Sequence, residues 1–177
     1  MTGQLANDQY LDYRAGKPAQ FQHVSIVAFS GGYVQKGQLV SNQYLDYTAN
    51  KTVQIQGQSL VTFSNGYVVS GQLASNQSLE YRSGKSAQFQ GTSVSTFNNG
   101  YVVSGQLVLG ANQPLEYRSG KSATFTGNAP ITFRSDGYVK SCQLTYDTEL
   151  EYAPGQSKKW PAMTWPIFDD SGYTTTH

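Results

Sequence analysis

The chain reads as an all-β protein made of five tandem antiparallel β repeats, and three observations say so. Gly-Gln-Leu begins at Gly3, Gly37, Gly71 and Gly105, 34 residues apart each time, and a fifth copy survives as Cys142-Gln143-Leu144. Gly-Tyr recurs at Tyr33, Tyr67, Tyr101, Tyr138 and Tyr173. No stretch carries a 3.6-residue apolar period, so no helix is expected. A fixed period of this size means units that bury their apolar faces against their neighbours. The chain is therefore expected to be one repeat domain over 1–177, with repeats near 3–36, 37–70, 71–104, 105–141 and 142–173.

The elements follow in order along the third copy. Leu79-Glu80-Tyr81 alternates apolar and polar, Arg82-Ser83-Gly84 is a turn, and Lys85 to Phe89 alternates again. Gly91-Thr92 breaks the chain, Val94 to Phe97 is β-prone, and Asn98-Asn99-Gly100 is the strongest turn signal of the unit. Four short strands per repeat result. Large residues return about every eight positions (Leu73, Tyr81, Phe89, Phe97), which makes each repeat two related hairpins.

Three-residue loops ending in a left-handed glycine give the expected register. Tyr81 then faces Lys85, and Leu79 faces Ala87, with Leu79, Tyr81, Ala87 and Phe89 on one face. The same loop at Asn98-Asn99-Gly100 pairs Phe97 with Tyr101 and adds Val103 and Leu107 to that face.

Such a sheet has to cover its apolar side. An elongated meander or β-solenoid is the first expectation, and a closed ring resembling a five-bladed propeller is the alternative. Trp160-Pro161 and Trp165-Pro166 replace regular strand residues in the last copy. Bulky rings with prolines, which donate no ladder hydrogen bond, read as a cap over an open end.

Composition narrows the function. Charged residues are 13% of the chain, and twelve basic side chains nearly cancel eleven acidic ones. No dense basic face exists for nucleic acid or anionic membrane. No apolar run is long enough to span a bilayer as a helix and no signal peptide follows Met1, so the chain is expected to be soluble. Cys142 is the only cysteine, which excludes an internal disulfide and reads as a structural thiol.

Asp12, Asp46, Glu80, Glu116 and Glu151 occupy one repeat position inside Leu-[Asp/Glu]-Tyr. Paired carboxylates can hydrolyse glycosides. Here the acid repeats with the fold and stands near Arg14, Arg82 or Arg118, with a lysine after the turn. An exposed ladder of ion pairs is the expectation, each worth under about 1 kcal/mol. His23 and His177 make no metal or triad spacing, and Asp169-Asp170 is too few acids for a calcium cage. No catalysis, metal or cofactor is expected.

The aromatics remain. Tyr33 to Tyr173, and Tyr13, Tyr47, Tyr81, Tyr117 and Tyr152, are repeat positions. Their structural role is to pack the sheet. Their functional role would be to line a groove for sugar rings or a protein partner, with Gln and Asn supplying hydrogen bonds. Trp160, Trp165, Tyr81, Tyr117 and Tyr152 are the candidate binding residues, the tryptophans because they break the repeat.

The string from Phe97 to Leu107, Phe-Asn-Asn-Gly-Tyr-Val-Val-Ser-Gly-Gln-Leu, resembles tandem repeats of uncharacterised bacterial proteins with the pattern F-x-x-x-G-Y-V-x-S-G-x-L. Leu5 to Leu11 and Leu144 to Leu150 match its continuation. The resemblance implies a bacterial β-repeat protein and brings no activity with it. More remotely the Asn-Gly-Tyr rhythm is similar to MORN repeats, which form open hairpin arrays. The expectation is a non-catalytic module binding glycan or protein on a regular polar and aromatic face, with a structural spacer as the alternative.

Overall fold

The computed structural model describes residues 2–23 and 25–175, and among these the chain forms nineteen strands and no helix. It falls into two compact units, Met1–Gln77 with Gly91–Gly100, and Ser78–Gln90 with Tyr101–His177.

The first unit holds β1 (Thr2–Gln4), β2 (Gln9–Arg14), β3 (Lys17–Phe21), β4 (Ile26–Ser30) and β5 (Tyr33–Gln38). It continues with β6 (Gln43–Thr48), β7 (Lys51–Ile55), β8 (Leu60–Ser64), β9 (Tyr67–Gln72) and β12 (Val94–Asn98). Here β1, β4, β5, β8, β9 and β12 lie side by side in that order, while β2–β3 and β6–β7 are separate hairpins. Among the described residues β1 has a ladder partner, β4, on one side only, so the order of this unit is a meander with an edge and not a closed barrel or ring.

The second unit holds β10 (Gln77–Arg82, from Ser78 on), β11 (Lys85–Phe89), β13 (Tyr101–Gln106), β14 (Gln113–Arg118) and β15 (Lys121–Phe125). After these come β16 (Pro130–Phe133), β17 (Val139–Ser141), β18 (Thr148–Ala153) and β19 (Gln156–Trp160). β13, β16 and β17 adjoin in order, and β10–β11, β14–β15 and β18–β19 are separate hairpins. The first four repeats each give two strands to a sheet and one hairpin that packs against it, as the eight-residue rhythm predicts, while the fifth gives the hairpin β18–β19 followed by isolated bridges.

Aromatic stacking joins the layers. Tyr13 of β2 stacks on Phe63 of β8 at 4.7 Å between ring centres, and Tyr47 of β6 lies 5.1 Å from Phe97 of β12. In the second unit Tyr81 stacks on Phe133 at 4.7 Å and Tyr117 on Phe168 at 4.6 Å. Such contacts add about 1 kcal/mol each beyond the area they bury. Phe21 and Ile55, at the ends of β3 and β7, press so closely on Gly37 and Gly71 that an added Cβ would stand 2.6 and 2.8 Å from them. That approach is why glycine opens Gly-Gln-Leu at these two copies, whereas an added Cβ at Gly3 would meet nothing within 4 Å.

The uncharged polar composition is structural too. The side chain of Gln43 accepts from the Gln20 amide at 2.8 Å and donates to its carbonyl at 2.9 Å, standing in for one rung of a ladder. Gln77 does the same to Gln54, and Gln113 to Gln88. Asp8, Asn42, Asn76, Asn112 and Asp147 each accept a backbone N–H fifteen residues on. At the half-buried glutamine joints, neutral side-chain amides satisfy backbone groups without burying charge.

The hairpins that pack against the sheet keep the expected face: Leu79, Tyr81, Ala87 and Phe89 are all buried, and Gly84 has φ +67°. In β14–β15, Leu115 stands opposite Ala123 as expected, but Arg118 rather than Tyr117 stands opposite Lys121. Tyr117 is the bulged residue, and its ring turns inward.

The sheet hairpins correct the expected register. Asn65 and Gly66 both have positive φ (51° and 77°), as do Asn99 and Gly100 (48° and 78°). These are two-residue turns of type I′, which match the strand twist better than a three-residue loop. Ser64 therefore pairs with Tyr67 and Phe63 with Val68; Thr62 then pairs with Ser70, leaving Val69 as an extra residue. In the third copy Val102 and Leu107 are accordingly buried, while Tyr101 and Val103 are only half-buried. The bulge that follows the turn returns the strand to register.

Candidate functional site

The two-residue turns and their bulges build a hollow between successive sheet hairpins. In the first unit, the turn Ser30-Gly31-Gly32-Tyr33 and the turn Ser64-Asn65-Gly66-Tyr67 flank one such notch, floored by Tyr13 and Arg14 at the end of β2. Gln35, the extra residue where Phe29 pairs with Val34 and Ala28 with Lys36, is aimed into it. The volume is about 320 Å³.

A second notch of about 300 Å³ lies one repeat along. Tyr47, Thr48, Ser64, Tyr67, Val69, Asn99 and Gly100 line it, which are the first notch's Tyr13, Arg14, Ser30, Tyr33, Gln35, Asn65 and Gly66 moved by 34 positions. Val68, Phe97 and Asn98 deepen it. The bulge supplies the wall in both cases, as Gln35 and as Val69. Tyr33 is 37% exposed at the rim, and Tyr67 is half-buried.

Arginine ties the first notch floor to the next repeat. The Arg14 Nη2 donates to Asp46 at 2.6 Å, Lys17 stands 3.2 Å from the same oxygen, and the guanidinium lies 4.6 Å over the Tyr67 ring. Its aliphatic part rests on Gly66, where an added Cβ would stand 2.8 Å from Arg14 Cβ. The second unit repeats the device. Arg82 donates to Glu116 at 2.5 Å and lies 4.2 Å over Tyr138, and Arg118 reaches Glu151 and lies 4.6 Å over Tyr173. Lys85 and Lys121 each complete the grip at 3.0 Å.

This corrects the expected exposed ladder. The basic pair of one repeat grips the acid of the next repeat, and the side chain of Asp46 is only 7% exposed. The hydrogen bond from Lys85, then the charge of Arg82, holds the Glu116 carboxyl below its ordinary range against the opposing effect of burial. Lys121 and Arg118 lower Glu151 in the same way. The carboxylates of Asp46, Glu116 and Glu151 are thus already occupied as clamps between repeats.

The residues singled out from sequence are scattered. Tyr81 and Tyr117 are buried in the stacks described above, so neither offers a ring face, and burial pushes both phenols above their usual range. Tyr152 holds the same repeat position but is 41% exposed, and no phenylalanine stacks on it among the described residues. Trp160 is buried at the end of β19 with Lys158 5.4 Å from its ring, whereas Trp165 is 43% exposed.

Cys142 is fully buried, and desolvation pushes its thiol up to about 12, so it stays a neutral packing group. The Asp169 carboxylate accepts the N–H groups of Ser171 and Tyr173, which commits it to its own turn. His23 stands 2.9 Å from Asp8. His177 lies outside the described residues.

Sequence reasoning found the tyrosines at positions 33 and 67 but not their setting. The signal for the notch walls was the residue two places after each Gly-Tyr tyrosine, where the bulge falls. Neither notch lining contains a carboxylate, thiol or imidazole. What they offer is ring faces, amides and hydroxyls, with one arginine that is already paired. Comparison with family models, with curated proteins and with solved structures gives no match.

Proposed function

We propose that the chain is a non-catalytic module that binds a glycan in a row of tyrosine-rimmed notches. One observation carries this reading: two hollows of nearly equal volume, in repeat-equivalent places, present a tyrosine ring beside neutral hydrogen-bonding side chains. A tyrosine ring face packs against the apolar face of a sugar, and amides and hydroxyls pair with its rim of hydroxyl groups. The volumes sit at the low end of ligand pockets, about 300–1,000 Å³. A protein partner would instead need a continuous patch of roughly 800 Å² on each side.

Glycan microarray binding followed by calorimetry tests the reading. Tyr33→Ala and Tyr67→Ala are expected to weaken any captured glycan about tenfold or more, the value of one good ring contact with its hydrogen bonds. A blank array at high protein concentration contradicts the proposal.

The arginine clamps between repeats support a second reading, a stiff spacer whose repetition provides length. Under it, Tyr33→Ala and Tyr67→Ala are silent in every binding assay, while Arg82→Ala and Arg118→Ala lower stability.

A further inference from the structure

Resting on the glycan reading, the geometry points to a specific class of ligand. We infer that the two notches take alternate sugars of one extended β-1,4-linked hexose chain, so that one protein repeat spans one disaccharide. The argument is metric. Tyr33 begins β5 and Tyr67 begins β9, and β8 is the single strand between them. Neighbouring strands stand about 4.8 Å apart, so equivalent points in the two notches are separated by about 10 Å.

A β-1,4-linked hexose chain is a flat ribbon in which each sugar is turned over relative to the last. Its period is two sugars, and its length is close to that separation. Every second ring therefore meets the same surroundings in the same orientation, which a repeat with one aromatic notch per period requires. A helical α-1,4 chain turns its rings away from such a line.

An extended peptide fits less well. In a β-strand, side chains on one face recur about every 7 Å, which falls out of step with a period near 10 Å. A polyproline helix recurs about every 9 Å, a near match in length. The notch chemistry disfavours it: Ser30, Gln35 and Asn65 in one notch, and Ser64, Asn98 and Asn99 in the other, present more polar groups than a proline ring can use. The first notch also carries its own arginine in a closed ion pair, so no anionic group on the sugar is called for.

The two notches predict a length step. A disaccharide reaches one notch at a time, whereas a chain of three or more sugars occupies both. Tethering through the intervening sugar raises apparent affinity by about tenfold or more over the disaccharide.

The test is a calorimetric series on the intact protein with cello- and chito-oligosaccharides of two to six sugars, maltohexaose, and a polyproline peptide as controls. The expected result is a step between two and three sugars in a β-1,4 series, and little binding of maltohexaose at equal length. Tyr33→Ala and, separately, Gln35→Ala should flatten the step and return the hexasaccharide to the disaccharide's affinity. Circular dichroism melts confirm that each variant is folded.

Glycan binding without a length step, or equal binding of maltohexaose, overturns this inference and leaves the glycan reading standing. Binding of none of the oligosaccharides overturns this inference alone, and the glycan reading falls with it only if the glycan array is also blank; binding of the polyproline peptide alone, with a blank array, removes both.

Discussion

The two notches of the first unit share a backbone path but differ at the floor, Arg14 against Thr48, and at the bulge wall, Gln35 against Val69, and the difference separates what builds the hollow from what tunes it. An added Cβ at Gly66 would stand 2.8 Å from Arg14 Cβ, and one at Gly100 would stand 2.9 Å from Thr48 Cβ. The chain thus takes the same path past both floors. Yet the first floor is an arginine clamped to Asp46 beneath a polar Gln35 wall, and the second is a neutral threonine beneath Val69. The hollow belongs to the turns and bulges. The clamp is an independent addition that ties repeats together, and one copy does without it.

The largest effects should come from breaking what the notches share. Gly66→Val and Gly100→Val each combine a β-branched residue at positive φ with a collision against the floor, and each should cost about 3 kcal/mol. Chemical denaturation measures both. Similar losses support a common backbone, whereas a Gly100→Val variant as stable as the parent would show that the second turn is not the one described.

Next come the floors themselves. Arg14→Ala leaves the buried Asp46 carboxylate with Lys17 alone and uncovers the Tyr67 ring, at a cost of about 2 kcal/mol. Thr48→Ala should cost under about 0.5 kcal/mol. Equal losses at the two sites would erase the distinction between clamp and hollow. Converting the second floor to the first with Thr48→Arg is a smaller test. A gain of up to about 1 kcal/mol is expected from thermal melts. A large loss there would mean that the second hollow is shaped against a long side chain.

The clamps of the second unit set a pH signature. Glu116 and Glu151 are held below their ordinary value of 4.5 in the folded protein. Their contribution is therefore complete above that value and is lost as pH falls through their lower folded values. Melting temperature should decline on acidification below about pH 4.5. Arg82→Ala and Arg118→Ala should flatten that decline, and a decline unchanged in both variants would detach it from the clamps.

The repeat period, the four strands per unit and the inward face of Leu79, Tyr81, Ala87 and Phe89 were legible because each is a regular spacing of large residues. The notches were not, for a reason seen at Asn99 and Val103. Asn-Gly permits either loop length, and only the twist of the paired strands selects the shorter turn and moves the bulge downstream. The candidate tyrosines failed for a related reason. Tyr81 and Tyr117 look surface-ready in a polar context, but the phenylalanines that cover them lie about fifty residues on. The acids showed their ion-pair chemistry in sequence. The partner choice was hidden, because the gripping arginine comes from the preceding repeat.

The central claim is that the two notches act as one binding row. Amide chemical shifts of the intact protein, followed during titration with a β-1,4-linked hexasaccharide, test it most directly. The account predicts that Ser30 and Gln35 in the first notch, and Val69 and Asn99 in the second, shift together with a single apparent affinity. Shifts confined to one notch, or centred on Trp165 and Tyr152 instead, would contradict it.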